Sequence, residues 1–217
     1  IQLEAAGQRY AQTEKFVYFG SRIAEVPDIR PEIDRRIRLA WLCFKTYEKE
    51  VYDRPQVRLG IKVRLFKVEV IETLLYGSVT WTLHRYHYEK LRTIHHRMLL
   101  RILGSYHNKK THRVMSYQDA LEKTECDSVE TTLRTRRLLW AGRVVRTHDM
   151  RLPRRVMMGK IAGGAKMSRG RPEKNWAQCL EDNLNEFGLQ IPGWEGASRN
   201  AQAWYSGVVE GGGLFME

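Results

Sequence analysis

The sequence is poor in the features that mark secreted, disulfide-stabilised or membrane-spanning proteins. It has three cysteines among 217 residues, widely separated at positions 43, 126 and 179. An odd and sparse set of this kind is typical of free thiols in a reducing compartment. No apolar run approaches the roughly 18 residues of a membrane span, and no signal peptide is visible. We therefore predict an intracellular protein, nuclear or cytoplasmic, which is not secreted and has no membrane partner.

Recognisable catalytic and metal-binding motifs are also missing. The sequence has no G-x-S-x-G elbow and no Walker loop. It has seven histidines, including His84-x-x-His87 and His95-His96 on one predicted helix, but no cysteine lies near them. A zinc site needs close Cys/His pairs, twice, so core or surface histidines are the favoured interpretation. We predict that this chain alone is not an enzyme and has no catalytic residue, bound metal or cofactor.

Positive charge is abundant and localised. The chain carries 37 Lys and Arg against 25 Asp and Glu, a net charge of +12. Residues 134–174 contain thirteen bases and two acids, and residues 85–115 contain eight bases and one acid, whereas residues 175–217 are net acidic. Charge concentrated in this way is the electrostatic footprint of a nucleic-acid-binding protein, with an anionic membrane as the second choice.

Helical periodicity dominates the first half of the chain. Apolar residues recur every three or four positions in three segments, two of which precede the stop signals Gly77 and Gly104. The segment KFVYFGSRI is instead rich in β-favouring residues, so a strand that ends at Gly20 is predicted. The predicted elements are a strand within 15–23, helices over about 31–50, 57–75 and 84–103, and a short β-like connector over 78–83.

Capping signals organise the second half. Ser116-x-x-Asp119 resembles a capping box, and Ser128 is a second N-cap candidate, for a helix that runs to about residue 147. A Gly-containing loop is predicted over 157–168, followed by a helix over about 172–187 and a weakly specified tail. The fold class is therefore mainly α: a three-helix bundle, then a basic helical region, with a short N-terminal β element. The predicted units are residues 1–29, 30–115 and 116–217.

The order of segments resembles a known family. In sequence they read KFVYFGSRI, PEIDRRIRLAWLCF, IKVRLFKVEVIETLLYGSVTWTL, LRTIHHRMLLRILG, RRLLWAGRVVR, RLPRRVMMG and RGRPEKNWAQCLEDNL. This series is similar to the C-terminal part of the reverse transcriptase of non-LTR (LINE-type) retrotransposons, over about residues 14–188. The resemblance implies that residues 18–21 lie near the primer grip, and that the helices of 31–104 form the thumb, which holds the template–primer duplex.

The same resemblance implies what this chain lacks. The metal-binding aspartates of the palm, the fingers and an endonuclease domain would lie outside it, and the chain begins at Ile1 rather than Met. We therefore expect a piece of an RNA-directed DNA polymerase whose partners are RNA, DNA or their hybrid, together with the missing palm and fingers. Two Mg²⁺ ions are expected only in that palm.

Candidate nucleic-acid-binding residues follow from the charge pattern. They are basic residues of the third predicted helix and of the stretch after it, plus the Gly of a basic loop: Arg92, Arg97, Arg101, Arg143, Arg146, Arg154, Arg155, Lys166, Arg169, Gly170, Arg171 and Lys174. Two other interpretations stay open. The Arg169–Pro172 segment is similar to the core of an AT-hook, so the chain could be a stand-alone or domesticated DNA-binding module. It could also be a remnant of a decayed element.

Overall fold

Helices dominate the part of the chain that the structure, a computed structural model, describes. That part covers residues 3–5, 8–10, 15–24, 28–104, 114–163, 175–189 and 193–214. The helices are α1 (Arg30–Tyr47), α2 (Leu59–Leu65), α3 (Glu72–Leu74), α4 (Arg85–Leu103), α5 (Tyr117–Thr124), α6 (Val129–Val145), α7 (Leu152–Gly163), α8 (Trp176–Glu186), α9 (Trp194–Ala197) and α10 (Ala201–Leu214). The mainly α fold predicted from the sequence is confirmed.

In the described part of the N-terminal region, two short antiparallel hairpins precede the helices. Strand β1 (Leu3–Ala5) pairs with β2 (Gln8–Tyr10), and β3 (Lys15–Tyr18) pairs with β4 (Ser21–Ala24). The turn of the second hairpin is Phe19-Gly20, and both residues have positive φ, 44° and 73°. The predicted strand therefore ends two residues earlier than expected, because Gly20 belongs to the tight turn.

The second hairpin is attached to the helices through its turn. Tyr76 donates its hydroxyl hydrogen to Phe19 O at 2.8 Å, and Arg35 donates to Gly20 O at 2.8 Å. Arg36, which is buried and paired with Glu32, also donates to Gly20 O. The backbone of the turn is thus fixed, while the adjacent aromatic side chains stay exposed, with 78% of Phe19 accessible.

The first hydrophobic core lies between α1, the α2–α3 segment and α4. A π-helical stretch, Phe66–Ile71, joins α2 to α3, and another, Glu48–Tyr52, extends α1. Phe44, Phe66, Leu91 and Met98 are among the fully buried side chains of this core. The predicted three-helix bundle is present, with Gly77 and Gly104 in the left-handed conformation at the stops assigned to them.

Helix α6 belongs to two cores. Its first half contributes Val129 and Leu133 to the core of the bundle, whereas its second half contributes Leu138 and Val144 to a second core. The second core is formed with α7, α8, α9 and α10. Because α5 also packs into the first core, packing is continuous across residue 115, where one predicted unit ends. The division into 1–29, 30–115 and 116–217 stays a prediction.

Buried polar contacts join α6 to α8. Arg137, only 1% exposed, donates to Trp81 O at 2.6 Å. In the amide orientation that satisfies both neighbours, Asn183 accepts from Arg137 at 2.8 Å and donates to Cys179 O at 2.9 Å. Trp176 Nε1 donates to Val79 O at 2.7 Å. These bonds pair buried donors of both helices, whereas Nε of Arg137 has no hydrogen-bond partner within the described residues.

Three predictions about connecting segments differ from the structure. The predicted loop over 157–168 is helical up to Gly163, because Leu152–Gly163 forms α7 and buries Met157. The tail holds α9 and α10, which bury Trp194, Trp204 and Val208 in the second core. The β-like connector contains the 3₁₀ turn Ser78–Thr80 before an extended Trp81. In each case tertiary burial stabilises a helical conformation that local propensity left weak.

Candidate nucleic-acid interface

Helices α1 and α4 lie side by side and run in the same direction. Near the start of both helices Lys90 pairs with Asp34, and near their ends Arg101 pairs with Glu48 at 2.5 Å. Lys90 and Arg101 are eleven residues apart, about 17 Å along a helix axis. The two ion pairs therefore fix one face of α1 beside one face of α4 over this length.

Between the two ion pairs, this joined face carries exposed cations. Arg38 and Lys45 follow Asp34 at helical spacing on α1, and Arg97 lies between Lys90 and Arg101 on α4. All three are exposed, and the described residues give none of them an ion pair. The sequence has no acid over 35–47 or over 91–100. We call Arg38, Lys45 and Arg97 the α1–α4 basic strip.

Arg92 projects to another side of α4. Its Nε and Nη2 both lie 2.6 Å from Glu130 Oε1 on α6, and its guanidinium lies over the Tyr117 ring. Half of the Arg92 side chain is exposed, whereas that of Glu130 is only 6% exposed. The structure therefore separates Arg92 from Arg97 and Arg101, although the three were predicted as one phosphate-facing set.

A second group of arginines lies where α6 meets α7. Arg143 and Arg155 are exposed, and neither has an ion pair within the described ranges. Arg146 donates to Ser198 O at 2.6 Å, so it connects α6 to the segment after α9. Arg154 pairs with Asp149 at 2.8 Å and donates to the carbonyls of residues 145 and 147 at 2.7 and 2.6 Å.

These contacts distinguish two kinds of arginine at the junction of α6 and α7, which we call the α6–α7 corner. The carbonyls at the C-terminus of a helix lack partners within the helix, so a guanidinium such as that of Arg154 can donate hydrogen bonds to them. Its positive charge also interacts favourably with the negative end of the helix dipole. Arg146 and Arg154 thereby position the turn between α6 and α7. Arg143 and Arg155 keep their donors directed to solvent and available to an anion.

The remaining predicted contacts lie outside the described residues. They are the basic and Gly residues between α7 and α8 in sequence: Lys166, Arg169, Gly170, Arg171 and Lys174. The AT-hook-like segment is among them. The prediction that these residues bind nucleic acid stays a prediction.

The buried histidines have structural partners. The Tyr117 hydroxyl lies 2.7 Å from His95 Nδ1, and the His95 ring stacks on Phe66. His87 Nδ1 accepts from the backbone N–H of His84 at 3.0 Å and so caps the start of α4. Burial lowers the pKa of His95 to about 3 and that of His87 to about 4, since the charged form loses its hydration.

Within the described ranges, no group of three or more His, Cys, Asp or Glu is placed to hold a metal ion. The same ranges contain no helix that is long and apolar enough to cross a membrane.

Two members of the basic strip, Arg38 and Lys45, were missed by sequence reasoning. The signal that could have found them is the lack of any acid over 35–47, in a predicted helix that accompanies another basic helix. Net charge summed over the first 84 residues hid it, because acids elsewhere in that segment offset the bases. Only the tertiary structure shows that α1 packs beside α4 and so brings Arg97 next to Arg38 and Lys45.

Comparisons with known proteins give one informative similarity. Over 197 residues the chain is 26% identical to an uncharacterized transposon-derived protein of Caenorhabditis elegans, a match that spans 88% of this chain and 68% of that protein. No protein-family model matches the chain, and no solved structure does. The similarity indicates a transposable-element origin for this sequence.

Proposed function

We propose that this chain is the nucleic-acid-holding part of a reverse transcriptase encoded by a transposable element. The observation that carries the proposal is the α1–α4 basic strip, where the cations Arg38, Lys45 and Arg97 project from two helices fixed in parallel. Cations on a rigid helical face suit contacts with the sugar–phosphate backbone, which position a duplex without reading its sequence. The transposon-derived relative agrees with this origin.

The exposed arginines at the α6–α7 corner supply a second contact in this proposal. Arg143 and Arg155 have donors free for phosphate, whereas Arg101, Arg146 and Arg154 are engaged within the protein. An arginine engaged in an ion pair binds phosphate only at the cost of that pair. Phosphate contact is therefore assigned first to the unpaired arginines. Chemistry is assigned to a palm domain with its own two Mg²⁺ ions.

Binding to an RNA–DNA hybrid duplex is expected to depend steeply on salt. If about six phosphates are neutralised, the logarithm of the affinity should fall against log salt with a slope near −5. The measurement is fluorescence anisotropy of a labelled hybrid over a range of salt concentrations. A flat salt dependence contradicts the proposal.

The strip itself is tested by the triple variant Arg38→Gln, Lys45→Gln, Arg97→Gln. Each lost phosphate contact reduces the slope by about 1, so the slope should become shallower by about 3. The matched control removes three exposed cations outside the strip, Arg54→Gln, Lys123→Gln, Arg199→Gln. Equal effects of the two triple variants would show that net charge, rather than the strip, governs binding.

The link to a polymerase has its own test. In genomic DNA, the reading frame upstream of Ile1 is expected to encode the palm aspartates that this chain does not contain. A frame closed by stop codons directly upstream would favour the decayed remnant instead.

A further inference from the structure

A large cleft opens between the first halves of α4 and α6 and the helix α5. Its volume is about 790 Å³, within the range of small-molecule sites. It lies on a different side of α4 from the basic strip, because its wall includes Tyr88 and Arg92 rather than Arg97. Tyr117 and Glu130 line the opposite side.

Two guanidinium groups of the cleft lie over tyrosine rings. Arg92 lies 5.8 Å from the centroid of Tyr117, and Arg134 lies 5.4 Å from that of Tyr88. The hydroxyl of Tyr117 has partners of its own. Tyr117 accepts from the backbone N–H of Val129 at 3.1 Å and contacts His95, so its ring is anchored in the protein. Each arginine–tyrosine pair presents a flat surface of the kind on which nucleobases stack.

A buried carboxylate orients Arg92. Both Nε and Nη2 of Arg92 bond to Oε1 of Glu130, whereas Oε2 of this 5% exposed residue has no hydrogen-bond partner among the described residues. The arrangement fixes the guanidinium plane and leaves its other N–H groups directed to solvent. A buried acceptor without a partner is costly, so it favours a ligand that brings an N–H or O–H donor.

The ion pairs of the cleft restrict which ligands it favours. Each arginine of its wall has an acidic partner: Arg85 pairs with Glu89, Arg92 with Glu130 and Arg134 with Glu186. The wall therefore carries no surplus positive charge, and a ligand with several carboxylates would be repelled by the glutamates. A flat, uncharged group that brings an N–H donor for Glu130 fits these walls, and a nucleobase is such a group.

We propose that this cleft binds one unpaired nucleotide of a single strand. The base stacks on the Arg92 guanidinium, which is held by Glu130 and lies over the Tyr117 ring. The proposal rests on the proposed function, since it assumes that the chain binds nucleic acid. It adds a single-strand subsite apart from the duplex-binding strip.

The test compares two labelled oligonucleotides of equal charge. One is a thymidine strand of about eight nucleotides, and the other is an abasic strand of the same length. This length lies within the range of about 4 to 16 nucleotides that single-strand-binding sites cover. Because stacking of one base typically changes affinity about tenfold, the thymidine strand should bind about tenfold more tightly. Equal affinities of the two strands would overturn the proposal, since a phosphate-only site cannot distinguish them.

The variant Arg92→Lys separates stacking from charge. Lysine keeps the positive charge but has no planar face, so the preference for bases should disappear while binding to the hybrid duplex stays within about twofold. Arg101→Lys, on the same helix and also ion-paired, is the matched control and should keep the preference. Retention of the preference in Arg92→Lys would overturn the assignment. Failure of duplex binding would instead contradict the proposed function.

Discussion

Acidification from pH 7.5 to pH 5 is expected to lower the free energy of unfolding by about 4 kcal/mol, through His95 and His87 alone. The folded protein keeps both imidazoles neutral, because burial lowers the pKa of His95 to about 3 and that of His87 to about 4. In the unfolded chain a histidine has a pKa near 6.5. At pH values between the folded and unfolded pKa of each histidine, the unfolded state therefore binds a proton that the folded state does not bind.

The sign follows from this difference. Stabilisation by the two neutral imidazoles is fully present above about pH 6.5 and is lost as the pH falls toward the lowered folded pKa values, at a rate of about 1.4 kcal/mol per pH unit for each histidine. His87 adds a structural reason, because its Nδ1 accepts the N–H of His84 and cannot do so once protonated. His95 is surrounded by Phe66 and Tyr117, which offer no counter-charge.

Urea unfolding at several pH values measures the effect. The variant His95→Asn, which can still offer an acceptor near Tyr117, should roughly halve the slope of stability against pH over 6.5 to 5. His148→Asn, at an exposed position, is the control for the change from histidine to asparagine itself. An unchanged slope in His95→Asn would show that the acid sensitivity arises elsewhere.

Gly142→Ala is expected to lower the free energy of unfolding by about 3 kcal/mol. A Cβ at position 142 would lie 2.3 Å from Nε1 of Trp204, far inside van der Waals contact. The indole cannot move aside, because it is buried between α6 and α10 and donates to Leu138 O at 3.0 Å. The gain in helix propensity from alanine, about 1 kcal/mol at an open site, offsets only part of the clash.

The measurement is thermal unfolding, in which a loss of this size lowers the midpoint by roughly 6 to 12 °C in a domain of this length. Gly159→Ala on α7 is the matched control, since a Cβ there meets nothing within 4 Å. It should raise the midpoint slightly, because alanine favours the helix. If Gly142→Ala were equally tolerated, the close contact between α6 and α10 would be contradicted.

Sequence reasoning predicted the bundle well because its signals are local. The helical repeat of apolar residues, the capping box at Ser116 and the stops at Gly77 and Gly104 each act within a few residues. The C-terminal region was predicted less well. Helices α7 and α10 lack strong local patterns, and they form where Met157 and Trp204 find a core supplied by α6. Such distant partners leave no mark in a local window.

The candidate site shows the same division. The sequence by itself determined the mainly α fold and the concentration of positive charge, because helix periodicity and charge are properties of neighbouring residues. Only the tertiary structure decided which cations are free. Glu48 and Glu130, distant in sequence, engage Arg101 and Arg92, whereas Arg97 is left beside two cations of α1. Ion pairing depends on which helices pack together, and packing depends on burial summed over the whole chain.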